Sequence, residues 1–207
     1  MRPQSRPKPC ARRWPCTKRG WRVTTETGLN QQKISIEPLD PKRHDRAAFS
    51  CGTDRLDNFL KRTARKHQTG DFSRVWVATE GGRPEILGFY ALNAHSLEGD
   101  ELPAHLTRNA PRSGDIPTVY LSMIAVDRRR QGQGLGRILL ADALRRVAAA
   151  AEHIGLKAVV LDVIEDGGPE ATDKRRAFYT SMGFQPLPSR PLRMFIPIET
   201  IRRARPE

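Results

Sequence analysis

The chain has 207 residues, a formal net charge of +13, three cysteines and no run of eighteen apolar residues. That length suits one domain with a buried core plus a tail, and we expect no membrane span. Because Cys10, Cys16 and Cys51 fit neither a disulfide framework nor a metal-ligand spacing, we expect a reducing, cytoplasmic setting and no metal site.

Residues 1–33 are predicted to be a basic, disordered tail, because they are rich in proline and have no helical or strand period. They lack the apolar run of a signal peptide and carry a net charge of +8, which leaves +5 on residues 34–207. The tail is interpreted either as an arm that contacts a polyanion or as extra sequence upstream of a true start near Val23. The charge of the remaining domain either attracts an anionic partner, such as nucleic acid or a nucleotide, or serves solubility alone.

The first half of the domain predicts a strand, a helix and an antiparallel hairpin with the turn GGRP. Thr53 or Asp54 is placed to cap the helix. Its apolar face is expected to contain Leu56, Phe59, Leu60 and Ala64. The predicted ranges are a strand at 34–40, the helix at 52–67, strands at 73–80 and 85–97, and a polar loop at 98–117.

The second half predicts a β-α-β unit with a parallel pair of strands, then a helix and a last strand. The first strand, TVYLSMIAV, is nearly all apolar, as expected of a strand buried on both faces. The long helix is expected to end at Gly155, with Leu135, Ile138, Leu139, Ala143, Val147, Ala150 and Ile154 along one face. The predicted ranges are strands at 118–126, 157–164 and 193–198 and helices at 135–153 and 172–184. The order indicates an α/β fold with a mixed sheet.

The segment QGQGLG, residues 131–136, lies between the apolar strand and the long helix and predicts a pyrophosphate site. Its three glycines allow backbone amides to approach a ligand, and the N-terminus of the following helix favours an anion. Arginines at 128, 129, 130 and 137 are placed to add charge-assisted contacts.

Three classes of phosphate-binding loop are compatible with such a glycine pattern in principle. A P-loop requires GxxxxGK[ST], which this segment lacks. A dinucleotide-binding fold requires GxGxxG after an early strand, whereas the spacing here is GxGxG in mid-chain. The acyl-coenzyme A loop [RQ]xxGx[GA] is matched by Gln131, Gly134 and Gly136, so the sequence favours a coenzyme A site.

With these elements, residues 34–200 resemble the GNAT N-acetyltransferases, whose coenzyme motif is matched by VYLSMIAVDRRRQGQGLGRILLADALRR. The segments FSCGTDRLDNFLKRTARKHQTGDFSRVWVATE, TRNAPRSGDIPTVYLSMIAVD and RRAFYTSMGFQPL further resemble the TacT-like acetyltransferase toxins of type II toxin–antitoxin modules. Two features depart from that group. Met123 stands where an arginine is frequent, and the segment IEDGGPEATDK is longer and more acidic.

The resemblance implies a GNAT fold, with a central mixed, mostly antiparallel sheet, a splayed parallel pair and helices on both faces. It implies acetyl-coenzyme A as the co-substrate, held partly by the backbone of the strand from Leu121 to Val126 where that strand splays from its neighbour. The coenzyme-binding residues implied are Ile124, Ala125, Val126, Gln131, Gly132, Gln133, Gly134, Leu135, Gly136, Arg137 and Phe178.

Tyr179, in RRAFYTSMGF, matches the tyrosine that the family places beside the coenzyme sulfur, and the resemblance implies that it is the general acid. A phenol has a pKa of about 10 and a thiol about 8.5, so proton donation to the thiolate is uphill by roughly 2 kcal/mol. A positioned donor with that gap is still a workable acid. The alternative interpretation is an aromatic residue that packs beside Phe178.

The sequence does not single out a general base. Its five histidines are scattered, and Asp162, at the end of the second parallel strand, is the best-placed carboxylate but fits a loop-anchoring role equally well. An α-amino group titrates near 8 and a lysine near 10.4, so an enzyme for α-amines can manage without a strong base.

The resemblance implies a toxin that acetylates the α-amino group of aminoacyl-tRNA and so blocks translation, a ribbon-helix-helix antitoxin as inhibitor, and a homodimer. The alternatives are an acetyltransferase for small-molecule or protein amines and a non-catalytic coenzyme-binding module. Arg175 or Arg176 alternatively faces the coenzyme phosphates. The candidate RNA contacts are Arg62, Arg65, Lys66, Arg74, Arg108, Asn109, Arg112, Lys174, Arg175 and Arg176.

Overall fold

The computed structural model describes residues 34–99, 101–110 and 114–204. The predicted tail at 1–33 and the candidate contact Arg112 lie outside these residues. Within the described ranges, no helix is both long and apolar enough to cross a membrane.

The described residues form seven strands. Six of them follow the predicted order along the chain, and the two-residue strand Gln185–Pro186 was not predicted. The strands are β1 (Ile34–Pro38), β2 (Arg74–Glu80), β3 (Gly88–Glu98), β4 (Asp115–Val126), β5 (Ala158–Asp162), β6 (Gln185–Pro186) and β7 (Arg193–Pro197). The α-helices are α1 (Asp54–Asn58), α2 (Ala64–Thr69), α3 (Ala104–Thr107), α4 (Leu135–Ala150), α5 (Gly168–Ser181) and α6 (Ile198–Arg203).

The strands make one sheet in the order β1-β2-β3-β4-β5-β7-β6. All neighbours are antiparallel except β4 and β5, which are parallel and pair from Thr118↔Ala158 to Tyr120↔Val160. The predicted mixed sheet, the hairpin and the parallel β-α-β unit are therefore confirmed.

The two faces of the sheet are covered by different helices. On one face α4 packs over a large apolar cluster that includes Tyr90, Leu139 and Ile196. On the other, α1 and α2 cover a cluster around Phe59 and Phe89, and the segment containing α3 covers a third cluster that includes residues of β4, β5 and β7. Alternate residues of β3 point to opposite faces, as pleating requires, so Tyr90 belongs to the first cluster and Phe89 to the second.

The structure corrects several predicted boundaries. The helix predicted at 52–67 is α1, a π-helical turn at Phe59–Thr63 and then α2, although its four predicted core residues are buried. Thr53 is the N-cap but makes no side-chain capping bond. The loop predicted at 98–117 contains α3 and the start of β4, and a helix not predicted, α6, follows β7.

The C-terminal end of the long helix is also shorter than predicted. Helix α4 ends at Ala150, before the expected stop at Gly155. Two residues expected on its apolar face, Ala150 and Ile154, are exposed. The apolar spacing of this stretch therefore continues past the end of the helix.

Candidate active site

Strand β4 separates from β5 in the middle of the sheet. The parallel pairing ends at Tyr120↔Val160, and β4 continues for six more residues while it remains paired with β3. A β-bulge lies just beyond this point, because Leu121 pairs with Leu92 and Met123 with Ala91, which leaves Ser122 as the extra residue. The splay predicted for Leu121 to Val126 is confirmed, and none of the described strands pairs with the β5 side of Ile124–Val126.

The glycine loop follows β4 directly and leads into the N-terminus of α4. Gly132 and Gly134 have φ values of +76° and +82°, and Gly134 is the N-cap of the helix. No atom outside the immediate chain neighbours lies within 4 Å of a Cβ built on either glycine, so the loop backbone borders open space. Backbone amides at such a helix start form an anion site.

The predicted coenzyme residues Gln131 and Gln133 are exposed, and their side chains make hydrogen bonds within the protein. The Gln131 amide nitrogen donates to the carbonyl oxygens of Cys51 and Val126 at 2.9 and 3.0 Å. That of Gln133 donates to the carbonyl of Arg129 at 3.1 Å. Both side chains therefore shape the loop, and their backbone remains to contact a ligand.

The turn FSCG, residues 49–52, lies against the glycine loop. The backbone amide of Ser50 donates to the Asp127 carboxylate at 3.3 Å, and the amide of Arg128 donates to the Ser50 carbonyl at 2.9 Å. Gly52 has a φ of +94°, and a Cβ there would lie 2.6 Å from Nε of Arg128. The sequence singled out this turn only as a family signature, and its contact with the loop was not predicted.

Asp57 holds the same turn from the side of α1. Its carboxylate accepts hydrogen bonds from the Ser50 hydroxyl at 2.9 Å and from the Cys51 amide at 2.8 Å. Burial opposes ionisation of Asp57, but these donors outweigh it and lower its pKa. Burial and the neighbouring Asp57 raise the pKa of the Cys51 thiol to about 12, so this thiol is neutral and has a structural role.

Tyr179 lies one aromatic ring away from the glycine loop. A Cβ built on Gly136 would be 3.8 Å from Val126 Cγ2 and 3.9 Å from Phe178 Cζ, so these residues meet beside the first turn of α4. The rings of Phe178 and Tyr179 are 5.3 Å apart, in an edge-to-face arrangement. Arg137, predicted to contact the coenzyme, donates to the sulfur of Met182 at 3.4 Å and so connects α4 with the end of α5.

The acidity of Tyr179 is controlled by its surroundings. Burial raises the pKa of its phenol to about 12, and the nearby positive charge of Arg175 opposes the rise. Arg175 itself donates to the carbonyls of Ile164 and Asp166 at 2.9 and 2.5 Å, which holds the loop between β5 and α5. No local pattern in the sequence predicts this contact.

On the opposite face of the splay, polar side chains occupy the space between the α1–α2 cluster and the α3 cluster. We call this the polar gap. The Asp162 carboxylate accepts hydrogen bonds from the Tyr120 hydroxyl at 2.8 Å and from Arg193 at 2.7 and 2.9 Å. The hydrogen bond from Arg193 lowers the pKa of Asp162, and the bond from Tyr120 adds to this effect. Burial acts in the opposite direction but is outweighed. The residues of the gap are Asn93, His95, Tyr120, Ser122, Asp162 and Arg193.

Asp162 is therefore a poor candidate for a general base. A carboxylate with a lowered pKa that is already hydrogen-bonded to a guanidinium and a phenol has little affinity for a further proton. The loop-anchoring alternative describes its contacts better, since it joins β4, β5 and β7 at the splay.

The candidate RNA contacts are spread over three parts of the surface. Arg62, Arg65 and Lys66 are exposed on the π-turn and α2, and Arg108 and Asn109 are exposed after α3. Several of the others are held by acidic neighbours. Arg74 pairs with Asp71 at 2.7 Å, Lys174 with Glu170 at 2.7 Å and Arg176 with Asp173 at 3.1 Å.

The chain is similar to known acetyltransferase domains and toxins. The model of the acetyltransferase (GNAT) domain matches residues 71–186. A probable toxin TacT from Sinorhizobium fredii is 52% identical over 82% of this chain and 94% of its own length. A tRNA-acetylating toxin from Mycobacterium tuberculosis is 35% identical over 76% of this chain and 89% of its own.

Solved structures with the same fold agree with these relatives. A tyrosine-to-phenylalanine variant of KacT has a TM-score of 0.74 and 27% identity over 83% of this chain and 99% of its own. AtaT complexed with acetyl-methionyl-tRNAfMet has a TM-score of 0.73 and 27% identity over 82% and 98%. A variant of AtaT bound to the C-terminus of the antitoxin AtaR and to acetyl-CoA has a TM-score of 0.66 and 27% identity over 82% and 96%.

The family model spans more than half of the chain, and the TacT relative matches most of its length. The chain therefore belongs to the GNAT acetyltransferase family and is a relative of the TacT, KacT and AtaT toxins.

Proposed function

We propose that this acetyltransferase transfers the acetyl group of acetyl-CoA to the α-amino group of aminoacyl-tRNA and so blocks translation. The observation that carries the proposal is the open side of Ile124–Val126, which lies beside the glycine loop and one ring from Tyr179. The relatives support the choice of substrate, since one is a tRNA-acetylating toxin and another is solved with acetylated methionyl-tRNA.

The residues present fit acetyl-CoA. The open backbone of Gly132 to Gly136 and the first amides of α4 hold the pyrophosphate, and the backbone of Ile124, Ala125 and Val126 on the side away from β3 holds the pantetheine arm. On that side the Val126 carbonyl also accepts a hydrogen bond from Gln131. Phe178 lies beside the first turn of α4 at this face, and we assign it a coenzyme contact. The Leu135 side chain is buried in the core, and Arg137 donates to Met182. Bound there, acetyl-CoA supplies a thioester that is open to attack by a neutral amine.

Tyr179 acts as the general acid that donates a proton to the departing sulfur. With a phenol pKa of about 12 against about 8.5 for a thiol, the donation is uphill by roughly 5 kcal/mol before the coenzyme changes the surroundings. The positive charge of Arg175 favours the phenolate, so without it the phenol pKa and this cost would be higher. A backbone amide of β4 polarises the thioester carbonyl, a kind of contact worth a few kcal/mol in other enzymes.

The amine approaches from the polar gap, because the coenzyme occupies the α4–α5 face of the splay. An α-amino group is partly neutral at pH 7, so the reaction proceeds without the strong base that Asp162 cannot provide. The exposed basic residues Arg65, Lys66, Arg74 and Arg108, together with Asn109 and Arg176, contact the RNA backbone. The protein works in the cytoplasm as a homodimer, and a ribbon-helix-helix antitoxin inhibits it.

The direct test is incubation of the protein with charged tRNA and labelled acetyl-CoA. We expect label on the aminoacyl group, a rate that falls steeply with added salt, and loss of at least a hundredfold in kcat in Tyr179→Phe with unchanged folding. Transfer only to small or protein amines refutes the tRNA assignment, and wild-type turnover in Tyr179→Phe removes this tyrosine from the mechanism.

A further inference from the structure

We infer that Phe72 is a stacking surface for an unpaired base of the tRNA substrate, held at the edge of the polar gap. The inference rests on the proposed function and names a specific contact for it. Phe72 is 71% exposed, the highest value of any large hydrophobic residue that the structure describes. Single exposed apolar residues are ordinary, so the argument depends on how this ring is held.

The turn before Phe72 has an unfavourable backbone. Asp71 has a φ of +61°, and it is the one non-glycine residue with a positive φ in the described part of the chain. Gly70 precedes it, and a Cβ at that position would lie 3.0 Å from two atoms of the Phe72 ring. Unfavourable backbone of this kind persists where the surroundings fix it and is concentrated at functional sites. Here its effect is to place an aromatic ring in solvent.

The ring is also fixed from behind. The Phe72 amide donates to the His67 carbonyl at 2.9 Å. The centroids of the Phe72 and His67 rings lie 5.9 Å apart. The His67 ring packs in turn on the buried Phe59 at 5.7 Å. Phe72 therefore has a rigid support on one side and an open face on the other, which is the form of a preorganised stacking surface.

Hydrogen bonds connect this turn to the splay. The Asn93 side chain donates to the Phe72 carbonyl at 2.7 Å, and it accepts from the Ser122 hydroxyl at 2.6 Å. Ser122 is the bulged residue of β4, two positions after the last parallel pair and two before Ile124. The exposed ring is thus positioned relative to the strand that faces the reacting groups.

The chemistry around Phe72 fits single-stranded nucleic acid. Arg65 and Lys66 are exposed on α2, which ends just before this turn, and Arg74, two residues after Phe72, forms an ion pair with Asp71. Aromatic rings that stack bases, with cations that contact phosphates, are the common means of binding single-stranded RNA. The aminoacyl group of a charged tRNA is attached to a single-stranded end, so an unpaired base lies next to the reacting amine.

The test compares Phe72→Ala and Phe72→Leu with Phe72→Tyr and Phe72→Trp, and uses Ile154→Ala as the matched control on an exposed apolar residue of a different surface. We expect the first two variants to raise KM for aminoacyl-tRNA by about 5- to 100-fold, as expected for loss of a base–aromatic stack. The aromatic variants and the control should keep the wild-type KM. The Kd for acetyl-CoA, measured by calorimetry, should not change in any of them.

A second readout separates a stacking role from a structural one. An amino-acid methyl ester carries the reacting amine without RNA, so the ratio of kcat/KM for aminoacyl-tRNA to that for the ester should fall in Phe72→Leu. An unchanged ratio, or an unchanged KM for aminoacyl-tRNA in a folded Phe72→Leu, overturns the inference. Weaker binding of a second copy or of an antitoxin without a change in that KM also overturns it, in favour of a protein contact. If the wild-type protein itself transfers no label to aminoacyl-tRNA, the proposed function has failed as well.

Discussion

The carboxylate of Asp127 accepts three hydrogen bonds from Arg129, two from its guanidinium at 2.8 and 3.2 Å and one from its backbone amide at 3.0 Å. Asp127 is 2% exposed, whereas the Arg129 side chain is 65% exposed. Asp127 also accepts the amide of Ser50. One buried carboxylate therefore joins the end of β4, the start of the glycine loop and the FSCG turn.

Replacement of Asp127 by asparagine should destabilise the protein and loosen the loop. The variant keeps the size of the side chain but loses the charge that strengthens these hydrogen bonds, so we expect a loss of about 1.5–3 kcal/mol of unfolding free energy. Acetyl-CoA affinity should fall with it, because the loop backbone is then held less firmly. Urea unfolding and calorimetry measure the two effects, and Asp173→Asn, on the exposed surface of α5, is the control. Equal urea midpoints for Asp127→Asn and wild type would contradict this role.

Stability should fall with acidity in two stages. Burial lowers the pKa of His44 and His95, with nearby arginines adding to the effect, so the unfolded chain takes up protons from about pH 6.5 downward while the folded protein resists. The pKa values of Asp57, Asp127 and Asp162 are lowered by their hydrogen-bond donors. Their stabilisation is present above the unfolded pKa of about 3.9 and is lost as pH falls through the lower folded values.

Thermal unfolding between pH 8 and pH 3 measures this profile. We expect a first decline in melting temperature below about pH 6.5 and a steeper one below about pH 4. His95→Gln should reduce the first stage and leave the second, whereas Asp57→Asn should reduce the second and leave the first. A melting temperature that is constant between pH 7 and pH 4.5 would contradict a lowered pKa for His44 and His95.

The sequence predicts the fold well where the pattern of apolar residues follows from burial in the sheet. The apolar run at 118–126 and the helix after it specify the β-α-β unit, because a buried parallel pair needs both. The glycine loop is placed correctly for the same reason, since it connects two predicted elements. The predicted boundaries are wrong where pairing with a neighbouring strand sets the end of an element. Asp115, for example, belongs to β4 because it pairs with Glu98.

The details of the site depend on contacts between segments that are distant in the chain, and local sequence patterns do not predict such contacts. Gln131 fits the coenzyme motif, yet its side chain binds the Cys51 carbonyl eighty residues away. Likewise, no local pattern indicates that Arg175 holds the carbonyls of Ile164 and Asp166, or that the carbonyl of Phe72 receives Asn93. The dipeptide Gly70-Asp71 directly before Phe72 was the one local signal for that turn.

Gly134→Ala should separate backbone strain from steric exclusion in the loop. Nothing lies within 4 Å of a Cβ at Gly134, so the fold loses only the cost of a left-handed L-residue, about 1–2 kcal/mol. Acetyl-CoA affinity should fall more than tenfold, because the methyl group enters the space assigned to the pyrophosphate. Gly82→Ala is the matched control, since Gly82 has a φ of +77°, open space around its Cβ and a place outside the glycine loop. Equal coenzyme affinity in the two variants would move the pyrophosphate away from Gly134.

The buried hydrogen bond between Tyr90 and Asp142 should be the main polar contact that fixes α4 to the sheet. The Tyr90 hydroxyl donates to Asp142 at 2.6 Å, and Arg145 and Arg146 donate to the same carboxylate at 2.6 and 2.7 Å. The Arg146 guanidinium also lies 3.3 Å over the Trp76 ring, which extends the contact to β2. The carboxylate therefore anchors two arginines and a phenol, and its removal should cost more than the loss of any one donor.

We expect Asp142→Ala to lose about 3 kcal/mol of unfolding free energy, because it leaves a buried hydroxyl and two arginines without their acceptor. Tyr90→Phe should lose about 1–2 kcal/mol, since the carboxylate keeps both arginines. Arg145→Ala should lose less than about 1 kcal/mol, because that side chain is half in solvent. Urea unfolding of the three variants tests the order directly. A loss in Tyr90→Phe as large as that in Asp142→Ala would mean that the phenol, and not the carboxylate, holds the network together.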